Sequence, residues 1–368
     1  MARRDLWQAR LDGVTGDDVE RALQDTPGVY RPDRLWTLIA PAAQDYLEDM
    51  ATLANQLTIQ RFGKTISLYA PLYVSSYCCN QCLYCGFNCS NNYERCRLTV
   101  EEAVNEARII HEEGFTDLLL VSSEDRQFIT VDYLCELAQR LRGMFSSISL
   151  EIHQLETADY TRLFEAGIDG VTLYQETYDA EVYARYHLKG PKADFTRRLR
   201  AFDSFGQAGM RKMGLGVLLG LTDWRQETLA LGMHGRYLMK QYWRSQISFS
   251  FPRLRPANEV EAKQFDHLVS DQDLVQMLLA LRLCFADAGL VISTRESARL
   301  RDALVSLGIT KMSAGSKTNP GGYGEKGDTL EQFMIDDSRS PAQIADMLRL
   351  LGKEPVWKDW DSGFHAQA

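Results

Sequence analysis

The chain has 368 residues, of which 45% are hydrophobic, so it can bury one barrel-sized core or two smaller ones. Its 41 lysines and arginines against 50 aspartates and glutamates give a net charge of −9, which disfavours an electrostatic grip on nucleic acid. The first residues are charged, and no apolar run has the length of a membrane span. We therefore expect a cytoplasmic protein whose partners include neither nucleic acid nor membrane.

The fold class follows from the alternation of two patterns along the chain. Residues 1–60 have helical patterns, and from residue 66 onward eight β-rich runs alternate with amphipathic helical stretches, which is typical of a (β/α)8 TIM-type barrel. The runs are 66–74, 117–122, 147–153, 170–175, 212–220, 246–251, 290–294 and 309–314, with helical stretches such as 100–113, 132–143, 157–167 and 271–288 between them. We predict an N-terminal helical extension over 1–60, the barrel over 61–320 and a C-terminal extension over 321–368 that packs on it.

Three cysteines follow the first β-rich run directly. Cys78, Cys82 and Cys85 are spaced C-x3-C-x2-C, and Tyr84 precedes the third of them. A four-iron cluster normally takes four cysteine ligands, so three on one loop leave one iron open to another molecule. S-adenosylmethionine (SAM) is the molecule this favours, since its reductive cleavage by an iron–sulfur cluster starts radical chemistry. The spacing thus predicts a [4Fe–4S] cluster with SAM as second cofactor, and Tyr84 beside them.

Other interpretations of the cysteines have to be weighed, because six of the eight lie within nineteen positions. Cys79, Cys82, Cys85 and Cys89 also form C-x2-C-x2-C-x3-C, the bacterial ferredoxin run, although Ser90 replaces its proline and a second run is missing. A structural zinc site requires a second cysteine pair, and disulfides suit small secreted scaffolds. We interpret Cys79, Cys89 and Cys96 as bystanders and Cys135 and Cys284 as buried helix residues.

Polar residues cluster where the predicted strands end, which is where barrel enzymes place their chemistry. Glu124, after the second run, is suited to accept hydrogen bonds from the ammonium group of a methionine moiety. Glycines 216 and 220 would let the backbone approach an adenine, or simply fit a tight strand. The predicted cofactor-binding residues are Tyr84, Glu124, Gln175, Tyr178, Gly216 and Gly220.

The remaining strand ends suggest an α-amino acid substrate. Arg295 offers a planar fork for a carboxylate, and nearby hydroxyl groups complete an amino-acid site. The predicted catalytic residues are Tyr73, Glu176, Arg295, Ser313 and Ser316, while the general base stays open among Glu176, Tyr178, His153 and Arg253. The glycine-rich stretch 318–328 is either a mobile loop over the barrel mouth or a plain connector.

Longer segments resemble the 2-iminoacetate synthase family, the tyrosine lyases of thiamine thiazole biosynthesis within the radical SAM superfamily. The segments that carry the resemblance are 77–87, 170–195, 214–221, 248–257, 293–297, 313–323 and 355–362. The resemblance implies that a deoxyadenosyl radical abstracts hydrogen from L-tyrosine, whose Cα–Cβ bond then breaks to give dehydroglycine (2-iminoacetate) and p-cresol. It also implies association with thiazole synthase and an electron donor such as flavodoxin or ferredoxin.

Similarity to the tryptophan lyases implies that Tyr73, Arg295 and Ser313 hold the amino and carboxylate groups of the substrate. One departure from the superfamily pattern is Ser122-Ser123-Glu124, where Gly-Gly-Glu or Gly-Glu is usual. Three alternatives stay open: a tryptophan-type lyase, a hydrogenase-maturation tyrosine lyase, and a non-catalytic electron carrier. The maturation lyases carry additional C-terminal cysteines, whereas no cysteine follows Cys284 here.

Overall fold

The computed structural model describes residues 2–261, 264–324 and 329–358. The chain begins with the helices α1 (Ala2–Asp12), α2 (Gly16–Gln24), α3 (Pro32–Leu38) and α4 (Leu47–Phe62), and a 3-10 turn over Pro41–Tyr46 precedes α4. Thr15 caps α2 in a capping box with Asp18, and Pro32 occupies the first turn of α3, where a missing N–H costs nothing. The helical prediction for residues 1–60 is confirmed, and α3 and α4 pack against a later helix outside the barrel.

Eight parallel strands of the described residues close into the barrel. In chain order the strands are β1 (Thr65–Ser75), β2 (Gln81–Cys82), β3 (Asp117–Ser122), β4 (Ser147–Glu151), β5 (Gly170–Glu176), β6 (His187–Lys189), β7 (Lys212–Val217), β8 (Gln246–Ser250), β9 (Gly289–Ile292), β10 (Lys311–Ser313) and β11 (Glu354–Val356). The barrel order is β1-β3-β4-β5-β7-β8-β9-β10, and pairing of Ser67 with Lys311 closes the ring. The predicted TIM-type barrel is confirmed, with all eight β-rich runs as its strands.

Helices connect the barrel strands and cover the outside of the sheet. They are α5 (Val100–Glu112), α6 (Val131–Leu141), α7 (Thr157–Ala166), α8 (Ala180–Tyr186), α9 (Phe195–Gln207), α10 (Trp224–Gln241), α11 (Asp271–Cys284), α12 (Ala298–Leu304) and α13 (Pro341–Leu350), with a 3-10 turn over Pro191–Ala193. The stretch predicted over 271–288 ends early because Phe285 is extended and Arg282 donates to the carbonyls of Phe285, Ala286 and Ala288.

Three strands end two or more residues before the β-rich runs that predicted them. β4 stops at Glu151, β9 stops at Ile292, and β7 stops at Val217, shortly before Gly220 turns the chain with a φ of 118°. Only glycine adopts such a φ readily, so this residue serves the turn. The apolar core contains the strand residues that face the helices, such as Leu68, Leu118 and Leu150, whereas the inside of the barrel holds polar groups such as the ion pair of Asp117 with Lys311. No helix among the described residues is long and apolar enough to cross a membrane.

The chain continues after the barrel and returns from its mouth to its base. Residues 329–336 lie near the C-terminal ends of the strands, α13 follows, and β11 then pairs in parallel with the start of β1. Trp357 packs against Phe115 with ring centroids 5.1 Å apart, so the extension is attached at both ends of the barrel. Positions 325–328 of the predicted loop and the tail from residue 359 lie outside the described residues.

Candidate active site

A deep cavity opens at the C-terminal ends of the barrel strands, where the sequence places its candidates. Ten of the predicted site residues line it: Tyr73, Cys78, Cys82, Tyr84, Cys85, Glu124, Glu176, Arg295, Ser313 and Ser316. Four predicted residues, Gln175, Tyr178, Gly216 and Gly220, do not line it. One cavity therefore contains the cysteine loop, two acidic strand ends and the proposed amino-acid anchors.

The three cysteines of the C-x3-C-x2-C loop all face this cavity, whereas Cys79 is exposed and does not line it. Pairing of β2 with β6 holds the loop, and the Cys85 amide donates to the Cys82 carbonyl at 3.2 Å. Burial raises the pKa of the Cys82 thiol and brings that of Cys78 to about 11, so binding of iron has to displace protons.

The remaining cysteines lie apart from the cavity. Cys89 and Cys96 are half-buried but do not line it, Cys284 is fully buried, and none of the eight cysteines, all of them described residues, is in a disulfide. Within the described ranges, no three His, Cys, Asp or Glu residues converge on a single metal ion. A cubane distributes its thiolate ligands over separate iron atoms, so the chemistry of three inward-facing thiols fits a cluster.

Tyr84 is anchored beside the cluster loop by a buried histidine. Its hydroxyl lies 2.7 Å from His187 Nε2, and His187 Nδ1 lies 2.7 Å from the Tyr183 carbonyl oxygen. Because a carbonyl only accepts, Nδ1 carries the proton and Nε2 accepts from Tyr84. Burial lowers the pKa of His187 to about 3, which keeps the ring neutral and Tyr84 the donor.

Glu176 ends β5 in a left-handed conformation, with a φ of 68°. Lys192 Nζ lies 2.6 Å from its carboxylate and Arg198 Nη2 lies 3.8 Å away. Burial alone would raise the pKa of Glu176, but the two cations outweigh it and the net pKa is lowered. Lys192 and Arg198 were not predicted, because they belong to the 3-10 turn and α9 and not to a strand end.

Glu124 projects into the cavity despite the two serines that precede it. Its carboxylate accepts from Asn80 Nδ2 at 3.1 Å and from Arg126 Nε at 2.6 Å. Ser123 donates from its amide and its hydroxyl to the Ser75 carbonyl, at 3.3 and 3.1 Å, which ties this loop to the end of β1. The serines thus replace the usual glycines with additional hydrogen bonds and leave the glutamate facing the cavity.

The opposite side of the cavity carries the proposed amino-acid anchors. The Arg295 guanidinium lies over the Phe333 ring and donates to the Arg253 carbonyl at 3.4 Å, and no Asp or Glu of the described residues pairs with it at salt-bridge distance. Burial lowers its pKa without neutralising it. Ser313 Oγ accepts the Thr294 amide at 3.0 Å, while the buried Ser316 Oγ has no partner among the described residues. These groups can bind a carboxylate.

Glu151 is a cavity residue that the sequence reasoning missed. It is the last residue of β4, and no described residue hydrogen-bonds or pairs with its carboxylate at salt-bridge distance. Burial first and the neighbouring Glu176 second raise its pKa to about 7. His153, which does follow this strand, also lines the cavity, but burial lowers its pKa to about 4. Two further unpredicted residues, Gln332 and Phe333, come from the C-terminal extension.

The four predicted residues outside the cavity have structural explanations. Gln175 is fully buried with its amide unpartnered among the described residues, and it lies between Tyr174 and Glu176, which line the cavity. Because successive strand residues face opposite sides of a sheet, Gln175 faces away. The Tyr178 hydroxyl oxygen forms a hydrogen bond with His234 Nδ1 at 2.8 Å. A Cβ on Gly216 would lie 2.2 Å from the Tyr174 ring, so this glycine makes room for that ring.

Comparison with known proteins agrees with this architecture. The model of the Radical SAM superfamily matches residues 72–232, and that of the Biotin and Thiamin Synthesis associated domain matches residues 250–354. The 2-iminoacetate synthase of Escherichia coli strain K12 is 44% identical over 96% of this chain and 93% of its own length, and that of Salmonella typhimurium has the same identity and coverage. The chain belongs to the 2-iminoacetate synthase family.

Several solved structures resemble this member of the 2-iminoacetate synthase family. HydG, a maturase of the [FeFe]-hydrogenase, has a TM-score of 0.91 at 32% identity over 97% of this chain and 80% of its own. HydG from Carboxydothermus hydrogenoformans has a TM-score of 0.88 at 33% identity over 97% of this chain and 83% of its own. Methylornithine synthase (PylB), at 22% identity and a TM-score of 0.74, shares the fold.

As a radical SAM protein of the 2-iminoacetate synthase family, the chain uses a [4Fe–4S] cluster and SAM as cofactors. The cavity fits both. Its three inward-facing thiols suit a cluster with one open iron, and carboxylates such as those of Glu124 and Glu176 are acceptors of the kind that cationic and hydroxyl groups of SAM require. Residues suited to the cluster and to SAM therefore line the same cavity as the proposed amino-acid anchors.

Proposed function

We propose that this protein is a radical SAM lyase that cleaves the Cα–Cβ bond of L-tyrosine to 2-iminoacetate (dehydroglycine) and p-cresol, while SAM becomes 5'-deoxyadenosine and methionine. The similarity of nearly the whole chain to the 2-iminoacetate synthase of Escherichia coli is the observation that carries this proposal. The cavity supports it, because an unpaired guanidinium lies within the same enclosure as the three cysteines.

The cluster and SAM are proposed to be bound by the residues on and next to the cysteine loop. Cys78, Cys82 and Cys85 would ligate the cluster, and Glu124 would accept the ammonium group of SAM. Asn80 and Arg126 already fix the Glu124 carboxylate, so little ordering entropy is lost when the cofactor binds. When bound, the cluster and SAM supply the 5'-deoxyadenosyl radical.

The substrate side is proposed to anchor the amino-acid end of tyrosine. Arg295 would bind the carboxylate through the edge of its guanidinium, and the hydroxyl groups of Tyr73, Ser313 and Ser316 would surround the same end. The Ser316 hydroxyl, buried and without a described partner, gains a hydrogen bond when substrate arrives. This arrangement fixes the end of the substrate at which the bond breaks.

Glu151 is proposed as the proton acceptor of the reaction. Of the four bases considered from the sequence, Tyr178 and Arg253 do not line the cavity and Glu176 is paired with Lys192. His153 does line it, but burial lowers its pKa to about 4, which makes it a weaker base than a carboxylate whose pKa is about 7. Glu151 lines the same cavity and interacts electrostatically with Tyr73 and Arg295, the proposed substrate anchors, and with Lys192. A carboxyl with a pKa of about 7 can take up a substrate proton at neutral pH.

The C-terminal extension is proposed to help keep water away from the reaction. A primary radical has to be kept from water, and residues 329–336 of the C-terminal extension contribute Gln332 and Phe333 to the cavity wall.

We infer that 2-iminoacetate passes to thiazole synthase and that a flavodoxin or ferredoxin supplies electrons; the thiamin-associated domain match supports the pathway. Free thiols and a reducible cluster favour the cytoplasm.

An anaerobic assay of the reconstituted protein with reductant, SAM and L-tyrosine tests the proposal. We expect 5'-deoxyadenosine and p-cresol to appear together in chromatography and both to disappear in Cys82→Ala. L-Tryptophan is supplied in a parallel reaction as the competing substrate, and carbon monoxide and cyanide are assayed as products of the hydrogenase-maturation reaction. Deoxyadenosine without p-cresol would reject tyrosine as substrate, and neither product from a protein with a verified cluster would reject the enzyme.

A further inference from the structure

The side chain of Gln332 connects the two sides of the cavity. Its carbonyl oxygen Oε1 accepts the Tyr73 hydroxyl at 2.8 Å, and its amide nitrogen Nε2 donates to the Cys85 sulfur at 3.8 Å. Tyr73 belongs to the proposed amino-acid site, and Cys85 is one of the three proposed cluster ligands. One neutral side chain therefore makes a direct hydrogen-bonded link between substrate anchor and cluster ligand.

The backbone around Gln332 is fixed on the cysteine loop itself. The Gly86 amide donates to the Gln332 carbonyl at 3.2 Å, and the Gln332 amide donates to the Thr318 carbonyl at 2.9 Å. A Cβ on Gly86 would lie 2.7 Å from the Gln332 carbonyl oxygen, so glycine beside Cys85 is what permits this approach. The link is thus held by main-chain bonds on both sides and does not depend on the side chain alone.

Hydrogen bonds in a chain polarise one another, and hydrogen bonds to cluster sulfurs affect the reduction potential of the cluster. If the Tyr73 oxygen accepts a hydrogen bond from the substrate ammonium group, the Tyr73 hydroxyl becomes a stronger donor to Gln332 Oε1. The amide N–H then becomes a stronger donor to the Cys85 sulfur. Stronger donation to sulfur stabilises the more negative, reduced cluster, so the potential rises.

We propose that Gln332 is a positioning residue that couples amino-acid binding at Tyr73 to reduction of the cluster held by Cys85. The proposal rests on the proposed function, since it takes an amino acid as the ligand of Tyr73. The coupling makes the cluster easier to reduce when substrate is present. It thereby limits cleavage of SAM in the absence of substrate.

The test is a redox titration of the cluster-loaded, SAM-bound protein, followed by electron paramagnetic resonance with and without L-tyrosine. We expect L-tyrosine to raise the potential of the wild type. Gln332→Leu is expected to have a lower potential and no response to L-tyrosine. Tyr73→Phe keeps the bond to sulfur but loses the hydroxyl that polarises it, so its potential without substrate is expected between those of the wild type and Gln332→Leu, and its response to L-tyrosine is expected to be lost. Met334→Ala, an exposed position in the same segment, is the matched control and is expected to behave as wild type.

The proposal would be overturned if Gln332→Leu had the reduction potential of the wild type and the same change on addition of L-tyrosine. It would also be overturned if L-tyrosine did not change the potential of the wild type. Formation of p-cresol in the same wild-type preparation separates this failure from failure of the lyase assignment. If the leucine variant does not load a cluster, Gln332→Glu replaces it. That variant keeps an acceptor for Tyr73 and loses the N–H donor, so it too is expected to have a lower potential.

Discussion

The guanidinium carbon of Arg295 lies 3.4 Å from the centroid of the Phe333 ring. The ring comes from the C-terminal extension and the arginine follows β9, so two distant parts of the chain build one contact. Such a contact stabilises by about 0.5–2 kcal/mol and occupies one face of the guanidinium. The edge with its N–H groups is left for a planar anion.

Replacement of Arg295 by lysine is therefore expected to weaken substrate binding. Lysine keeps the charge but loses the planar fork and the stacking, and loss of a charge-assisted hydrogen bond of about 1.5–3 kcal/mol corresponds to roughly 10- to 100-fold in KM for L-tyrosine. Steady-state p-cresol formation measures KM and kcat separately. Arg299→Lys, at an exposed position on α12, is the control. An unchanged KM would remove Arg295 from the substrate site.

The pH dependence of the reaction is expected to depend on Glu151. Its pKa is about 7 in the folded protein, and only the ionised form above that pH accepts a proton, so wild-type kcat/KM should rise as pH increases through about 7. Glu151→Gln should lower the rate and abolish this rise. The control is Glu156→Gln on the exposed surface. Parallel pH profiles for wild type and Glu151→Gln would contradict the assignment.

The raised pKa of Glu151 also predicts that the free energy of unfolding depends on pH. The pKa of Glu151 is raised above the value of about 4.3 for a free glutamate, so the folded state binds more protons between these pH values. The stability of the wild type should therefore fall as pH rises from about 4 to 7, and Glu151→Gln should lose this part of the dependence. Denaturant titrations of the cluster-free protein at several pH values measure the effect.

Single cysteine substitutions are expected to divide the six clustered cysteines into two groups. Cys78→Ser, Cys82→Ser and Cys85→Ser should each lose bound iron and the resonance of the reduced cluster, because these three thiols face the cavity. Cys79→Ser, Cys89→Ser and Cys96→Ser should retain both, and they serve as matched controls. A ferredoxin-like cluster would reverse the outcomes for Cys78, Cys79 and Cys89.

A buried ion pair links α12 to the segment before α13. Arg301 and Asp337 pair with both side chains fully buried, and Arg301 also donates to the Ser313 carbonyl. Asp337→Ala leaves a buried guanidinium unpaired and should lower the free energy of unfolding by about 3–5 kcal/mol. Asp346→Ala, which breaks an exposed pair with Arg349, should lower it by less than about 1 kcal/mol. Equal losses in the two variants, measured by denaturant unfolding, would contradict this account.

The barrel was predictable because its strands are short β-rich runs separated by amphipathic helices, and strand ends mark the mouth of such a barrel. The face of the sheet on which each strand residue lies was also predictable in principle, but the predicted site residues did not take it into account. Tyr174 and Glu176 line the cavity while Gln175, between them, is buried on the other side, as a period of two requires. The choice of Gln175 as a cofactor ligand ignored that period.

For other site residues, no local sequence pattern indicates that they reach the cavity. Lys192 and Arg198 reach Glu176 from a 3-10 turn and a helix, and Gln332 reaches Cys85 from beyond the last barrel strand. Their positions depend on the tertiary path of the chain, which propensity and periodicity do not encode. Glu151 could have been found, since it ends the β-rich run, but its lack of an ionic partner is visible only in three dimensions.

The contact between Gln332 and Cys85 joins positions that are 247 residues apart in the chain. At ribosomal rates of 5–20 residues per second, that separation corresponds to roughly 12–50 s of synthesis. The cysteine loop therefore leaves the ribosome well before the segment that covers it has been made. Until Gln332 has been made, the loop lacks the hydrogen bonds that join it to this residue, through Cys85 and Gly86, in the finished chain.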